Sequence, residues 1–193
     1  MKAIQIQQHG GPEVLQVVDV ESPEPESNEV SIRIAAAGVN FIEIYQRTGL
    51  YPVNLPFILG QEAAGIVEKV GVNVRDFRPG DRVAYASVPG GSYATSNCVP
   101  ASRLVTVPEA IGLKHAAAVM LQGMTAHYLA RTIFPLREGH TCLIQAVAGG
   151  VGLLLCQIAK LHGATVIGTT SSETKAEVAR AAGADHIIFY TNE

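Results

Sequence analysis

Along the first hundred or so residues, apolar positions alternate with polar ones over short stretches. Ile4 and Ile6 sit between polar neighbours, and Val30, Ile32 and Ile34 repeat the pattern. A period of two puts successive side chains on opposite faces, so each stretch reads as a half-buried strand. Pro23, Pro25, Gly38, Pro52, Pro56, Gly60, Gly71, Pro79, Gly80, Gly90 and Gly91 interrupt these stretches, as turn residues do. GDRVAYA (80–86) reads as a tight turn delivering a strand. From Asn40 to Arg47 the spacing predicts a short helix, with Phe41, Ile44 and Tyr45 on one side. The first part of the chain is therefore expected to be β-rich and loop-rich.

From about Pro108 the texture changes. LKHAAAVMLQGMTAHYLARTI (113–133) is rich in Ala, Leu and Met with few turn residues, which predicts two consecutive helices. After the Pro135–Gly139 turn, TCLIQA (141–146) reads as a strand, then comes AGGVG, then a helical run. In that run Val151, Leu154, Leu155, Ile158 and Leu161 recur at helical spacing and Gly163 supplies a stop. TVIGT (165–169) is a second strand, Ser171 and Ser172 are N-cap candidates, and a second helix ends at Gly183. A third strand begins at His186–Tyr190. The order β-α-β-α-β is the first half of a doubly wound parallel sheet. A complete dinucleotide fold has a second half of similar size, so the sequence reads as an incomplete one.

Composition narrows the functional classes. The 193 residues are 48 % apolar and 16 % charged, with a formal charge of −3. No basic face is expected to displace counterions from a nucleic acid. No apolar run approaches the roughly 18–20 residues that span a bilayer, and the first residues turn polar too early for a secretory signal. Three cysteines at wide spacing form neither a disulfide framework nor a zinc cluster, which suits a reducing, cytoplasmic home. The six histidines show no metal-ligand spacing, and the acids show no pairing suited to acid–base work.

The strand–turn–helix context gives weight to AVAGGVG (146–152). Aligned on G-x-G-x-x-G, the second and third glycines are Gly149 and Gly152, while Val147 holds the first position. The second glycine lets backbone approach a pyrophosphate and the third allows helix–strand packing. Ala148, Gly149, Gly150, Val151 and Gly152 are the candidate phosphate loop, their N–H groups aided by the helix dipole. The plainer alternative is a glycine turn that only packs strand on helix. At the tip of the second strand, GTTSSETK (168–175) offers hydroxyls and Lys175 where NAD-binding proteins carry an acid. Ser171 and Lys175 suit a 2′-phosphate, which favours NADPH; a capping serine and a solvated lysine are the alternative.

GVNFIEIYQRTGLYP (38–52), LPFILGQEAAGIVEKVG (55–71), GDRVA (80–84), LQGMTAHYL (121–129) and QAVAGGVGLLLCQIAK (145–160) occur in this order. Together they resemble the NADPH:quinone oxidoreductases, the ζ-crystallin-like branch of the medium-chain dehydrogenase/reductase family. The resemblance runs through essentially the whole chain. It implies a GroES-like catalytic domain over residues 1–122 and the N-terminal half of a Rossmann-type NADPH domain over 123–193. By that template the rest of the cofactor domain and a returning C-terminal segment are missing, and with them the usual dimer interface of this homo-oligomeric family. Zinc-containing relatives place a ligand cysteine where this chain has Asn40 and a ligand histidine where it has Gln61, and of the structural-zinc cysteines only Cys98 lies in the region. The resemblance thus implies a metal-free protein.

The same resemblance assigns residues. Asn40 and Tyr45 match positions lining the nicotinamide and substrate pocket, and Tyr51 matches an aromatic near its mouth. An amide and phenols can orient a carbonyl and donate to a developing oxyanion; on sequence alone the tyrosines read more readily as half-buried packing aromatics, and the resemblance reverses that. Gln122 and Thr125 match a segment near the nicotinamide end, and Lys175 and Tyr190 match positions around the adenosine 2′-phosphate. The implied reaction is reduction of a quinone by NADPH, with solvent supplying protons. An enone or enoyl-thioester reductase is the nearest rival, and a non-catalytic truncated product is the third reading.

Overall fold

The computed structural model describes residues 1–191, and the chain divides into two compact units, Met1–Leu121 and Gln122–Glu193. In the first unit, strands β1 (Lys2–Ile6), β2 (Gln16–Asp19) and β3 (Glu29–Ala37) precede helix α1 (Phe41–Thr48). They are followed by β4 (Phe57–Ile58), β5 (Ala63–Val70), β6 (Arg82–Tyr85), β7 (Ser96–Pro100) and β8 (Leu104–Thr106); helix α2 (Leu113–Tyr128) begins in this unit and continues past its end at Leu121. Two antiparallel sheets result, one ordered β2-β1-β4 and the other β7-β3-β5-β6-β8.

The larger sheet closes on Val30, Ile32, Val67, Val83, Tyr85, Val99 and Leu104. These β-branched and aromatic side chains pack on a pleated surface, and full burial of each contributes about 1.5–3 kcal/mol. Val30 faces Val70 and Ile32 faces Val67 across β3 and β5, so the alternation read from the sequence sets the register. Gly65 on β5 stands against the Arg33 carbonyl, where a Cβ would collide, and the two strands approach because it has none. In the turn before β6, Gly80 takes a left-handed φ of 95°, as the GDRVA reading required.

α1 packs with its polar side inward. Its buried residues are Glu43 and Gln46, while Phe41 is 66 % and Ile44 39 % exposed. The helix docks through its polar side because Glu43 supplies hydrogen bonds that the neighbouring backbone needs; the apolar side faces outward. The segment 113–133 is not two helices. α2 runs unbroken into a π-helical turn, Leu129–Ile133, with Tyr128 still helical at φ −66° and ψ −35°. No glycine or proline there stops the helix, and the register change to i→i+5 replaces a break.

The second unit contains β9 (Thr141–Ile144), α3 (Gly150–Leu161), β10 (Thr165–Thr170), α4 (Glu173–Ala181) and β11 (His186–Phe189). The strands are parallel in the order β11-β10-β9, the arrangement expected of a mononucleotide-binding half. On α3 the buried residues are Gly152, Cys156 and Ala159, while Leu161 is 85 % exposed. Small residues hold the fully buried positions because they let a helix lie close on a sheet, while Leu155 and Ile158, read from their helical spacing, pack half-buried against the same core. Gly163 (φ 73°) and Gly183 (φ 106°) take left-handed conformations after α3 and α4, as expected of helix stops. Among the described residues no helix is long and apolar enough to cross a membrane.

Candidate functional site

In the first unit, Asn40 ends the loop after β3 and N-caps α1 in a capping box with Glu43. It is 7 % exposed. Its Nδ2 donates to Glu62 Oε1 at 2.7 Å and its backbone N–H to Glu43 Oε2 at 2.5 Å. Glu62 is fully buried, and its other oxygen accepts the Leu121 N–H at 2.6 Å. Glu43 Oε1 accepts the Gln61 N–H at 3.1 Å, and Tyr93 Oη donates to Glu43 Oε2 at 3.0 Å.

Burial raises the Glu43 pKa, against the lowering pull of its N–H and phenol donors. Tyr93 is raised further, by burial first and then by the Glu43 charge. Asn40, Glu43, Ile44, Arg47, Leu15, Val39, Leu59 and Tyr93 line a pocket of about 200 Å³. Asn40 is therefore one member of a buried polar network.

Tyr45 and Tyr51 lie together: their ring centroids are 5.2 Å apart at 52°, and Phe41 meets Tyr45 edge-on at 5.2 Å and 69°. The Tyr51 N–H also donates to the Tyr45 carbonyl at 3.1 Å. Phe41 and Tyr51 are exposed, so this three-ring row presents π surface. The two tyrosines face each other, whereas Asn40 is held by acidic partners.

In the second unit the loop between β9 and α3 carries the glycine-rich candidates. Gly149 is the extended N-cap of α3 at φ −80° and ψ 169°, with its N–H turned back to the Ala146 carbonyl at 2.8 Å. Gly150 has the Gln122 amide directly over the place of a Cβ, and Gly152 has the Ala146 and Val147 backbone there. Both glycines thus leave no room for a side chain. Val147, which replaces the first fingerprint glycine, is fully buried and fits because Gly168 opposite it on β10 has no side chain. The N–H groups that open α3, those of Gly150, Val151 and Gly152, are the donors a helix start presents to an anion.

Ala146, Ala148, Gly149, Thr170, Ser171, Lys175 and Tyr190 line one pocket of about 150 Å³. Five residues named from sequence, Ala148, Gly149, Ser171, Lys175 and Tyr190, thus meet around one cavity. Lys175 Nζ stands 3.4 Å from Ser171 Oγ. Ser172, not Ser171, holds the N-cap position of α4, so the Ser171 hydroxyl belongs to the pocket instead. Gln122 and Thr125 lie on α2 and are half-buried. A fit to a dinucleotide phosphate follows from this donor set: backbone N–H groups at a helix start, a hydroxyl and an ammonium, with glycines where side chains would intrude.

Sequence reasoning missed Glu43, Glu62 and Tyr93. A signal existed for Glu62, an acid inside the apolar stretch LPFILGQEAAGIV; such acids seldom bury without partners. Among the described residues no group of three or more His, Cys, Asp or Glu side chains is placed to hold a metal.

Residues 26–130 match the family model of the alcohol dehydrogenase GroES-like domain, and residues 150–193 match that of the zinc-binding dehydrogenases. A quinone oxidoreductase of Pseudomonas aeruginosa is 49 % identical over 193 residues, all of this chain and 59 % of the relative. A 2-haloacrylate reductase of a Burkholderia species is 42 % identical over 97 % of this chain and 58 % of its own length. The crystal structure of Escherichia coli quinone oxidoreductase complexed with NADPH superposes with a TM-score of 0.98 at 44 % identity, covering all of this chain and 60 % of that one. The chain thus spans about 59 % of the length of the first of these relatives.

Proposed function

We propose, from the premise that the chain belongs to the alcohol dehydrogenase GroES-like family, that it serves NADPH-dependent reduction of quinones without a metal. One observation carries this reading: Ser171, Lys175 and Tyr190 line a single pocket with Ala148 and Gly149 of the glycine loop, suited to a 2′-phosphorylated adenosine. An ammonium and a hydroxyl there favour the extra phosphate, whereas an acid at the β10 tip would repel it. The relatives named quinone oxidoreductases, one of them complexed with NADPH, support the same choice.

Residues 1–122 act as the catalytic domain and 123–193 as part of the cofactor domain. NADPH, when bound, supplies the reducing equivalents. The chain's own residues bind and orient. Gly149 to Gly152 hold the pyrophosphate on backbone N–H groups, and Gln122 and Thr125 border the loop toward the nicotinamide. Asn40 holds an acceptor carbonyl, and Tyr45 and Tyr51 offer a planar acceptor their rings. Asn40 and Gln61 replace zinc ligands, and the Asn40 amide and Gln61 N–H are engaged with Glu62 and Glu43, which supports chemistry without a metal. A reducing cytoplasm suits the three free thiols.

Titration calorimetry of the folded chain with NADPH and NADH tests the reading. Tighter binding of NADPH is expected; equal affinity, or no binding by a folded chain, would overturn it for this polypeptide. The 42 % identity to a 2-haloacrylate reductase favours a second reading, reduction of an electron-poor alkene. Faster NADPH oxidation with enones or haloacrylates than with quinones would select it.

A further inference from the structure

We propose that Glu62 is a positioning residue that sets the plane of the Asn40 side-chain amide; this rests on the assignment of Asn40 to the acceptor. The backbone fixes Glu62 first. It directly precedes β5, its carbonyl accepts the Gly38 N–H at 3.2 Å, and the next pair along the ladder is Ala37 with Ala63. Its side chain then fills the space over Gly38, where a Cβ would collide with the carboxylate. Gly38 in GVN is therefore tied to Glu62 in GQE by shape.

The two carboxylate oxygens have separate tasks. Oε1 accepts Asn40 Nδ2–H at 2.7 Å and Oε2 accepts the Leu121 N–H at 2.6 Å. A carboxylate can only accept, so Asn40 must present nitrogen and not oxygen to Glu62. That choice, together with the Glu43 backbone N–H that the Asn40 side chain accepts in the capping box, defines the amide plane and the direction of the remaining Nδ2–H bond. At full burial the carboxylate cannot exchange these donors for water, so the orientation is held. The capping contact from the Asn40 N–H to Glu43, 2.5 Å, fixes the backbone of the same residue. Asn40 is thus gripped at main chain and side chain by two different acids.

The test is Glu62→Gln in the 193-residue chain, alongside Asn40→Ala and the double variant. Glutamine keeps the shape but turns one oxygen into a donor, opposed to the donor of Asn40 or of Leu121. In ¹⁵N-labelled protein the Asn40 side-chain amide signals are expected to move in E62Q. With NADPH and 1,4-naphthoquinone, kcat/KM is expected to fall roughly 10–100-fold, with NADPH affinity unchanged. The double variant should fall no further than Asn40→Ala. Unmoved Asn40 signals, or additive losses, would overturn the proposal. If wild type reduces no quinone, the assignment of function fails, and the amide signals still decide the tether. Should E62Q not fold, wild type suffices: scalar coupling across the hydrogen bond between Asn40 ¹⁵Nδ2 and Glu62 ¹³Cδ is expected, and its absence overturns the proposal.

Discussion

Lys175 is exposed on the first turn of α4, and its ammonium stands 3.4 Å from Ser171 Oγ. Its positive charge serves no structural ion pair among the described residues, so its loss should spare the fold. Lys175→Ala is expected to weaken NADPH binding by about 1.5–3 kcal/mol, the worth of a charge-assisted contact, and to leave NADH binding nearly unchanged. Titrating both cofactors into the variant checks this, and equal losses would remove Lys175 from the 2′-phosphate site. Cys98 gives a different kind of prediction. Burial, then the charge of Glu29, pushes its thiol up to about 11. A raised pKa favours the protonated form in the folded state. Its contribution to stability is therefore full below the ordinary thiol value of about 8.5, and is lost as pH rises through about 11. The rate of Cys98 alkylation against pH should have its midpoint near that raised value; a midpoint near 8.5 would contradict the burial.

At the scale of elements, the glycine loop works because α3 starts directly on the backbone of Ala146 and Val147. Gly152→Ala places a methyl group against that backbone, which has no flexible end to give way. A loss of roughly 1–3 kcal/mol is expected, read as a lower melting temperature together with weaker NADPH binding. Unchanged melting would show that the α3 start can shift. The β10–β11 connection is pinned by Asp185, which accepts from Lys160 Nζ at 2.8 Å and from the Val166 N–H at 2.7 Å. The Lys160 bond is the first cause that lowers the Asp185 pKa. A lowered folded pKa means this stabilisation is present above the unfolded value, about 3.9, and disappears as pH falls through the folded one. Wild type should therefore lose its margin over Asp185→Asn on acidification below pH 4. A margin that persists there would exclude the linkage.

These elements also show what a sequence can carry. Strand alternation at Val30, Ile32 and Ile34, the turn at Gly80 and the βαβ order were legible, because backbone geometry imposes a period and turn chemistry on them. The polar docking of α1 was not. It depends on Gln61 and Tyr93, which lie 18 and 50 residues from Glu43, and no local pattern reports such a partner. On α3 the helical spacing of Leu155 and Ile158 was legible, and both pack against the core; nearness to the sheet selects Gly152, Cys156 and Ala159 for the fully buried positions. In the site, the pocket around Ser171, Lys175 and Tyr190 follows from strand tips that a parallel sheet gathers at one edge. Of the acids that hold Asn40, Glu62 betrays itself inside an apolar stretch, but nothing local pairs it or Glu43 with Asn40.

For the molecule as a whole, the division into Met1–Leu121 and Gln122–Glu193 separates the proposed acceptor residues from the proposed adenosine residues along the chain. Each unit has its own core: Val30, Val67 and Tyr85 belong to one, Val147, Cys156 and Val166 to the other. A ligand that carries only the adenosine side of the cofactor should then act on one unit. 2′,5′-ADP has the adenosine and its 2′-phosphate but no nicotinamide, so it can reach Ser171, Lys175 and Tyr190 and has nothing with which to meet Asn40. Binding stabilises the state that holds the ligand, by a factor set by its concentration over Kd, and local opening is slowed where the ligand sits. Hydrogen exchange with saturating 2′,5′-ADP is therefore expected to protect amides of 146–152 and 168–175 while those of α1 keep their free rates. NADPH should protect the same two segments of the second unit. Protection of α1 by 2′,5′-ADP alone would mean that the adenosine site lies elsewhere than the Ser171–Lys175 pocket. Protection by neither ligand would remove nucleotide binding from this chain.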